Sequence, residues 1–162
     1  MSTSIRAARP RDIPDIIALI NGFAAQQLML PKTAESVAIA LDDFVVAVDA
    51  RGRLLGCAAV REYSPSLAEV ASVAVAAEAH GLGIGAALVR RVERLARARG
   101  IDELFALTMT TPFFQSLGYA VVDRSNFPEK ERRDCALCPR RRACAEACVY
   151  RSLAEETVVR AA

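Results

Sequence analysis

Residues 73–100 read VAVAAEAHGLGIGAALVRRVERLARARG, and the reading of this stretch decides the fold. An apolar run ends at Val75, three glycines fall within five residues at Gly81, Gly83 and Gly85, and a long helical pattern follows. Ala87, Leu88, Val92, Leu95 and Ala96 keep helical spacing, with arginines on the far side. Strand, glycine turn and helix in that order expose backbone N–H groups at a helix start. There the unpaired donors and the helix dipole favour a phosphate. A tight turn that uses glycine only for positive φ is the bland alternative.

Gly81 to Ala86 also fit G-x-G-x-x-G/A, the dinucleotide fingerprint, but the context argues against it. That pattern belongs in the first turn of a βαβ unit, with an acidic residue ending the next strand. Here four strand-like runs come first, and Asp102 and Glu103 begin the next strand rather than end it.

Working outward, residues 3–8 read as a short strand, and Pro10 with Asp12 opens an amphipathic helix. TAESVAIALDD (33–43) reads as a second helix. FVVAVD (44–49), the turn DARGR and LLGCAAVREY (54–63) predict an antiparallel hairpin. Residues 68–75 form a further strand, 84–99 a helix, 102–108 a buried strand, TPFFQSL a short helix and YAVVD a further strand. Residues 124–142 are polar and charge-dense. A meander of strands followed by a helix crossover makes an α/β chain of the α+β type.

Composition sets the outer limits. A length of 162 residues with 53% hydrophobic and 25% charged residues predicts a single globular domain over 1–162. A formal charge of +2 gives no bulk attraction to nucleic acid or membrane. No signal core or bilayer-length apolar run is present, so a cytoplasmic protein is expected. A homodimer is left open.

The whole run resembles the acetyl-CoA motif of the GNAT acetyltransferase superfamily: a strand, a short connection, then R/Q-x-x-G-x-G/A opening a long helix. His80 takes the place of the usual Arg or Gln. LFALT and PFFQSLGYAVV resemble the family's fifth strand, short helix and "LGF"-type turn. The resemblance implies the GNAT fold, a mixed, mostly antiparallel twisted sheet flanked by helices, with a pantetheine slot between the fourth and fifth strands. It implies acetyl-CoA as co-substrate. The pyrophosphate would rest on the amides of Leu82, Gly83, Ile84, Gly85 and Ala86, and the pantetheine would pair with the strand edge at Val73 and Val75.

LMLPKT (28–33), GCAAV (56–60), AEVASVAV, LFALTMTTPFF and FPEKERRD (127–134) together resemble the acetyltransferase domain of bacterial N-acetylglutamate synthases. This implies acetylation of the α-amino group of L-glutamate, the first step of arginine synthesis. A cysteine-bearing insert departs from the long forms near the C-terminus. Other small amines, a peptide N-terminus, or a non-catalytic acetyl-CoA-binding or zinc-knuckle protein are the alternatives.

Acetyl transfer needs a neutral amine beside the thioester and a dipole for the oxyanion. Glu69 is the only carboxylate in its apolar strand, and period-two alternation puts it on one face with Ala71, Val73 and Val75. It matches the glutamate of the relatives' "GEIA", which implies a general base. Thr108 matches a small hydroxyl residue near substrate; Lys32 matches a basic residue on a substrate carboxylate, and Arg124 heads an arginine-rich segment that could supply another. Phe114 stands where many relatives carry a tyrosine acid, and Phe113 reads as core. Cys57, in an apolar strand, reads as a packing residue, so direct attack without an acyl-enzyme is expected.

Cys135, Cys138, Cys144 and Cys148 have spacing C-x2-C-x5-C-x3-C. A C-x2-C pair before proline is a metal knuckle, and four thiolates would complete a structural zinc site. A reduced packing cluster and an oxidation-made disulfide are the other readings, and a final strand begun by Ala147-Cys148-Val149-Tyr150 would turn Cys148 into the core instead.

Overall fold

The structure is a computed structural model that describes residues 2–139 and 144–154. In chain order it contains β1 (Thr3–Ala7), α1 (Ile13–Ala25), α2 (Ala34–Ile39), β2 (Phe44–Asp49), β3 (Leu54–Glu62) and β4 (Leu67–Val75). Then follow α3 (Ile84–Ala98), β5 (Glu103–Thr108), α4 (Thr111–Ser116), β6 (Ala120–Val122), α5 (Pro128–Arg133) and β7 (Ala147–Ser152). The seven strands form one sheet in the order β1-β2-β3-β4-β5-β7-β6. The β1–β2, β2–β3, β5–β7 and β6–β7 pairs are antiparallel, and β4–β5 is parallel across the α3 crossover. This is the mixed, mostly antiparallel α+β architecture that the sequence predicts. Among the described residues, no helix is long and apolar enough to cross a membrane.

The chain divides into two compact units, Met1–Arg61 with Val70–Leu95, and Glu62–Glu69 with Ala96–Ala162. In the first, Ile16 and Ile20 of α1 meet Val37, Phe44, Val46, Val48, Cys57, Ala59 and Ala74 in one core. Alternate residues of β2 enter it because period two puts them on one face. The hairpin turn is fixed by Asp49, whose carboxylate accepts the amides of Arg51 and Arg53 at 2.9 Å each. Gly52 supplies the positive φ of +81° there. The second helix is shorter than predicted. It stops at Ile39, itself 81% exposed, and Val37 is its only buried residue, so burial gives little reason to extend it.

In the second unit Leu67, Phe105, Phe127 and Cys148 form the core, with the rings of Phe105 and Phe127 stacked at 4.4 Å. α5 lies inside the segment that the sequence marks only as polar and charge-dense. Phe127, buried just before it, anchors the helix start.

β4 departs from simple alternation. Ser72 has φ +54°, a left-handed value that is uncommon for a non-glycine residue. A kink of this kind interrupts the pleat, so the predicted common face of Glu69, Ala71, Val73 and Val75 does not carry through the strand.

Candidate active site

The glycine loop adopts the conformation its residues suggest. Gly81 and Gly83 have φ of +79° and +77°, and a Cβ on either would meet open space. The glycines are therefore required by backbone conformation and not by crowding. The first intrahelical bond of α3 runs from Ala87 N to Gly83 O at 3.1 Å. Helix geometry then leaves the amides up to Ala86 without intrahelical acceptors. His80 does not point to chemistry: its Nε2 pairs with Val75 O at 2.7 Å and ties the loop back to the end of β4. Leu82, at the tip, is 60% exposed.

Glu69 stands on β4, where the parallel ladder pairs it with Phe105. It is 5% exposed, and a buried carboxylate must have partners. Lys130 Nζ donates to Glu69 Oε1 at 2.9 Å and to Asp134 Oδ2 at 2.9 Å. The Tyr63 hydroxyl lies 2.6 Å from Asp134 Oδ2 and 3.2 Å from Glu69 Oε1. A phenol has one proton, so the two carboxylates share one hydroxyl and one ammonium. Burial pulls Lys130 toward neutrality, but the charge of Glu69 and the hydrogen bonds of both carboxylates outweigh it. Its ammonium is held above the usual lysine value. Arg133 stacks over the Tyr63 ring at 4.9 Å and donates to Glu62 O at 2.8 Å.

Tyr63, Lys130 and Asp134 are absent from the sequence-based site. The one local signal is the i, i+4 spacing of Lys130 and Asp134, ordinary for a surface helix pair. Their common partner lies 61 positions away for Lys130, which no local pattern encodes.

Thr108 ends β5, and its Oγ1 accepts the amide of Thr110 at 2.8 Å with the Thr110 hydroxyl 2.9 Å away. It shapes the turn into α4. Phe114 is buried edge-to-face against Phe113 and Tyr119, at centroid distances of 5.1 and 5.2 Å. Lys32, in the first unit, is held by its backbone: Asn21 of α1 accepts its amide at 2.9 Å and donates to its carbonyl at 3.0 Å. Cys57 is fully buried, and burial pushes its thiol up to about 12. Glu93 on α3 is a buried carboxylate that the helical pattern does not announce. It accepts from Arg90 Nη1 through both oxygens at 3.0 Å.

The four-cysteine expectation needs correction. Among the described residues no group of three or more metal-binding side chains is arranged to hold an ion. Cys148 sits on β7 opposite Leu107 and Val122 and joins the Phe105–Phe127 core. There burial pushes its thiol up to about 11. Cys135 and Cys144 meet a cation instead: Arg124 donates through Nη2 to Cys135 Sγ at 3.4 Å and through Nη1 to Cys144 Sγ at 3.6 Å. The residues present do not fit a tetrathiolate zinc. Arg124 also lines, with Ser125, Pro128, Glu131 and Arg132, an open cavity of about 490 Å³.

Residues 15–119 match the acetyltransferase (GNAT) family. The chain belongs to the GNAT acetyltransferase family. It is a GNAT acyltransferase, which sets aside the non-catalytic reading. It is 37% identical over 151 residues to an uncharacterised N-acetyltransferase of Chlorobaculum tepidum, covering 93% of this chain and 97% of that protein. It is 34% identical over 133 residues to an amino-acid acetyltransferase of Neisseria meningitidis, covering 81% of this chain and 30% of that enzyme. Among solved structures it is similar to N-acetylglutamate synthase from Neisseria gonorrhoeae complexed with coenzyme A and N-acetyl-glutamate. The TM-score is 0.83 at 30% identity, over 94% of this chain and 35% of that one. This GNAT chain thus spans about a third of the Neisseria enzymes and nearly all of the Chlorobaculum protein.

Proposed function

We propose that this protein transfers the acetyl group of acetyl-CoA to the α-amino group of L-glutamate, within residues 1–162 as one acetyltransferase domain. The product would be N-acetylglutamate and the setting the cytoplasmic start of arginine synthesis. The observation that carries this reading is the likeness, over 94% of the chain, to a synthase complexed with coenzyme A and N-acetyl-glutamate. The glycine loop supports the cofactor half. Pyrophosphate would rest on the amides from Leu82 to Ala86 at the head of α3, and pantetheine along the β4 edge at Val73 and Val75.

The amine nitrogen attacks the thioester carbonyl, the C–S bond breaks, and the thiolate leaves with coenzyme A. Glu69 takes the amine proton, directly or through one water. Tyr63 and Lys130 fix the carboxylate's orientation, which is the condition for efficient proton transfer. For the acceptor the second unit offers Thr108 and the cation Arg124, and the first unit offers the cation Lys32. A cysteine relay is disfavoured by Cys57, whose buried thiol at about 12 is no nucleophile near neutrality. Phe114 has no proton to give, so the departing thiolate is protonated by another group or by water.

The test is coenzyme A release with acetyl-CoA and a panel of amino acids and short peptides. Glutamate is expected to give the highest kcat/KM. No rate with glutamate and a clear rate with another amine would overturn the acceptor and leave the transferase standing.

A further inference from the structure

We propose that Cys135 and Cys144 form a thiol–disulfide site, with Arg124 as the cation that gathers their sulfurs. The sequence suggests a four-sulfur metal knuckle; in the structure Cys135 and Cys148 line one small pocket with Arg124, and the guanidinium bonds Cys135 and Cys144. Cys148 belongs to the Phe105–Phe127 core, and Cys57 is buried in the other unit. Cys135 and Cys144 sit on the two terminal nitrogens of one guanidinium, at 3.4 and 3.6 Å. That fork is rigid and planar, so two groups bonded to its ends are held on one side of one residue. At Cys135 burial pushes the thiol up, and the Arg124 cation opposes that rise, toward the thiolate that reacts with disulfides. The two sulfurs come from different backbone contexts. Cys135 opens a single 3-10 turn after α5, and Cys144 precedes β7. They lie nine positions apart, so closing the loop costs little chain entropy.

The reaction balances with an external low-molecular-weight disulfide as the oxidant. Cys144 is half-buried and Cys135 buried, so the Cys144 thiolate attacks first. It forms a mixed disulfide and expels one external thiol. Cys135 then attacks the Cys144 sulfur and expels the second. Two protein thiols are oxidised, and one external disulfide is reduced to two thiols. Cys138 lies one turn on, its amide given to Cys135 O at 3.2 Å, and is the competitor for the bond.

The bond would take both sulfur acceptors from Arg124, which lines the 490 Å³ cavity. It would also pull on Asp134, the neighbour of Cys135 that accepts from Lys130 and Tyr63. Weaker acceptor binding in the oxidised form follows if this region holds the acceptor, a consequence that rests on the function proposed above.

The experiment incubates the whole protein with oxidised glutathione, counts free thiols after denaturation, and maps linked peptides by mass spectrometry. The expected result is the loss of two of the five thiols and one peptide pair joining Cys135 to Cys144. Dithiothreitol should reverse it. Cys138→Ser should form the same link, and Cys144→Ser should form none between these positions. Retention of all five thiols, or a link through Cys138, overturns the proposal. Acetyl transfer is then measured on both forms, with a several-fold higher acceptor KM expected after oxidation. An equal KM in both forms overturns the coupling, and a mapped disulfide with no glutamate activity in either form overturns the function instead.

Discussion

Lys130 Nζ lies 2.9 Å from Glu69 Oε1, across 61 positions of the chain. That contact places a charge from the α5 helix on the one carboxylate of β4, and so holds the proposed base in one orientation. Glu69→Gln keeps the shape and the hydrogen bond to Lys130 but removes the proton acceptor. Turnover should fall by roughly 10²–10⁴ with a small change in acetyl-CoA KM. Full turnover in a variant with an unchanged melting curve would exclude the role.

The same ammonium sets an alkaline limit. Its folded pKa is raised above the ordinary 10.5, so its stabilising contribution is complete below 10.5. It is lost as pH rises through the higher folded value. The stability difference between the wild type and Lys130→Met should therefore be flat through neutrality and shrink in strongly alkaline solution. Denaturant titrations at several pH values measure it. A difference that shrinks on acidification instead would point to the carboxylates.

Gly83 separates backbone strain from charge. At φ +77° an added Cβ meets no atom within 4 Å, so Gly83→Ala suffers only conformational strain, roughly 1–2 kcal/mol. Gly83→Asp adds a carboxylate where the pyrophosphate would lie. Calorimetry should find acetyl-CoA binding kept in the alanine variant and abolished in the aspartate variant. Equal affinity in both would remove the loop from the cofactor site.

Asn21 is a positioning residue for Lys32. Its amide makes two hydrogen bonds to the Lys32 backbone, at 2.9 and 3.0 Å. Asn21→Ala should raise the acceptor KM several-fold and leave the acetyl-CoA KM and kcat near wild type. A uniform loss of all three would mean that the clamp serves only stability.

Phe105 is fully buried and stacked on Phe127. Phe105→Ala should cost about 3–5 kcal/mol, the range for emptying an aromatic core position. Chemical denaturation reads it directly, and a cost below about 1 kcal/mol would show that this core closes around the gap.

The sequence by itself determined what is local. FVVAVD, with its turn and return run, became the β2–β3 hairpin because alternation, Asp49 and Gly52 all act within a few residues. The strand–glycine–helix run became β4, the loop and α3 for the same reason: positive φ and helical period are properties of the segment. The tertiary structure decided the rest. Ser72 carries no residue signature for φ +54°, and α5 is charged at every position after Pro128, so neither pattern announces itself. β7 comes last in the chain yet lies between β5 and β6, which turns Cys148 into the core and undoes the four-sulfur knuckle that spacing suggests. Tyr63 reaches Asp134 across 71 positions, and Lys130 reaches Glu69 across 61. Spacing along a chain fixes which residues share a turn or a face. Only the packing of α5 against the sheet brings groups that far apart in sequence within hydrogen-bond distance.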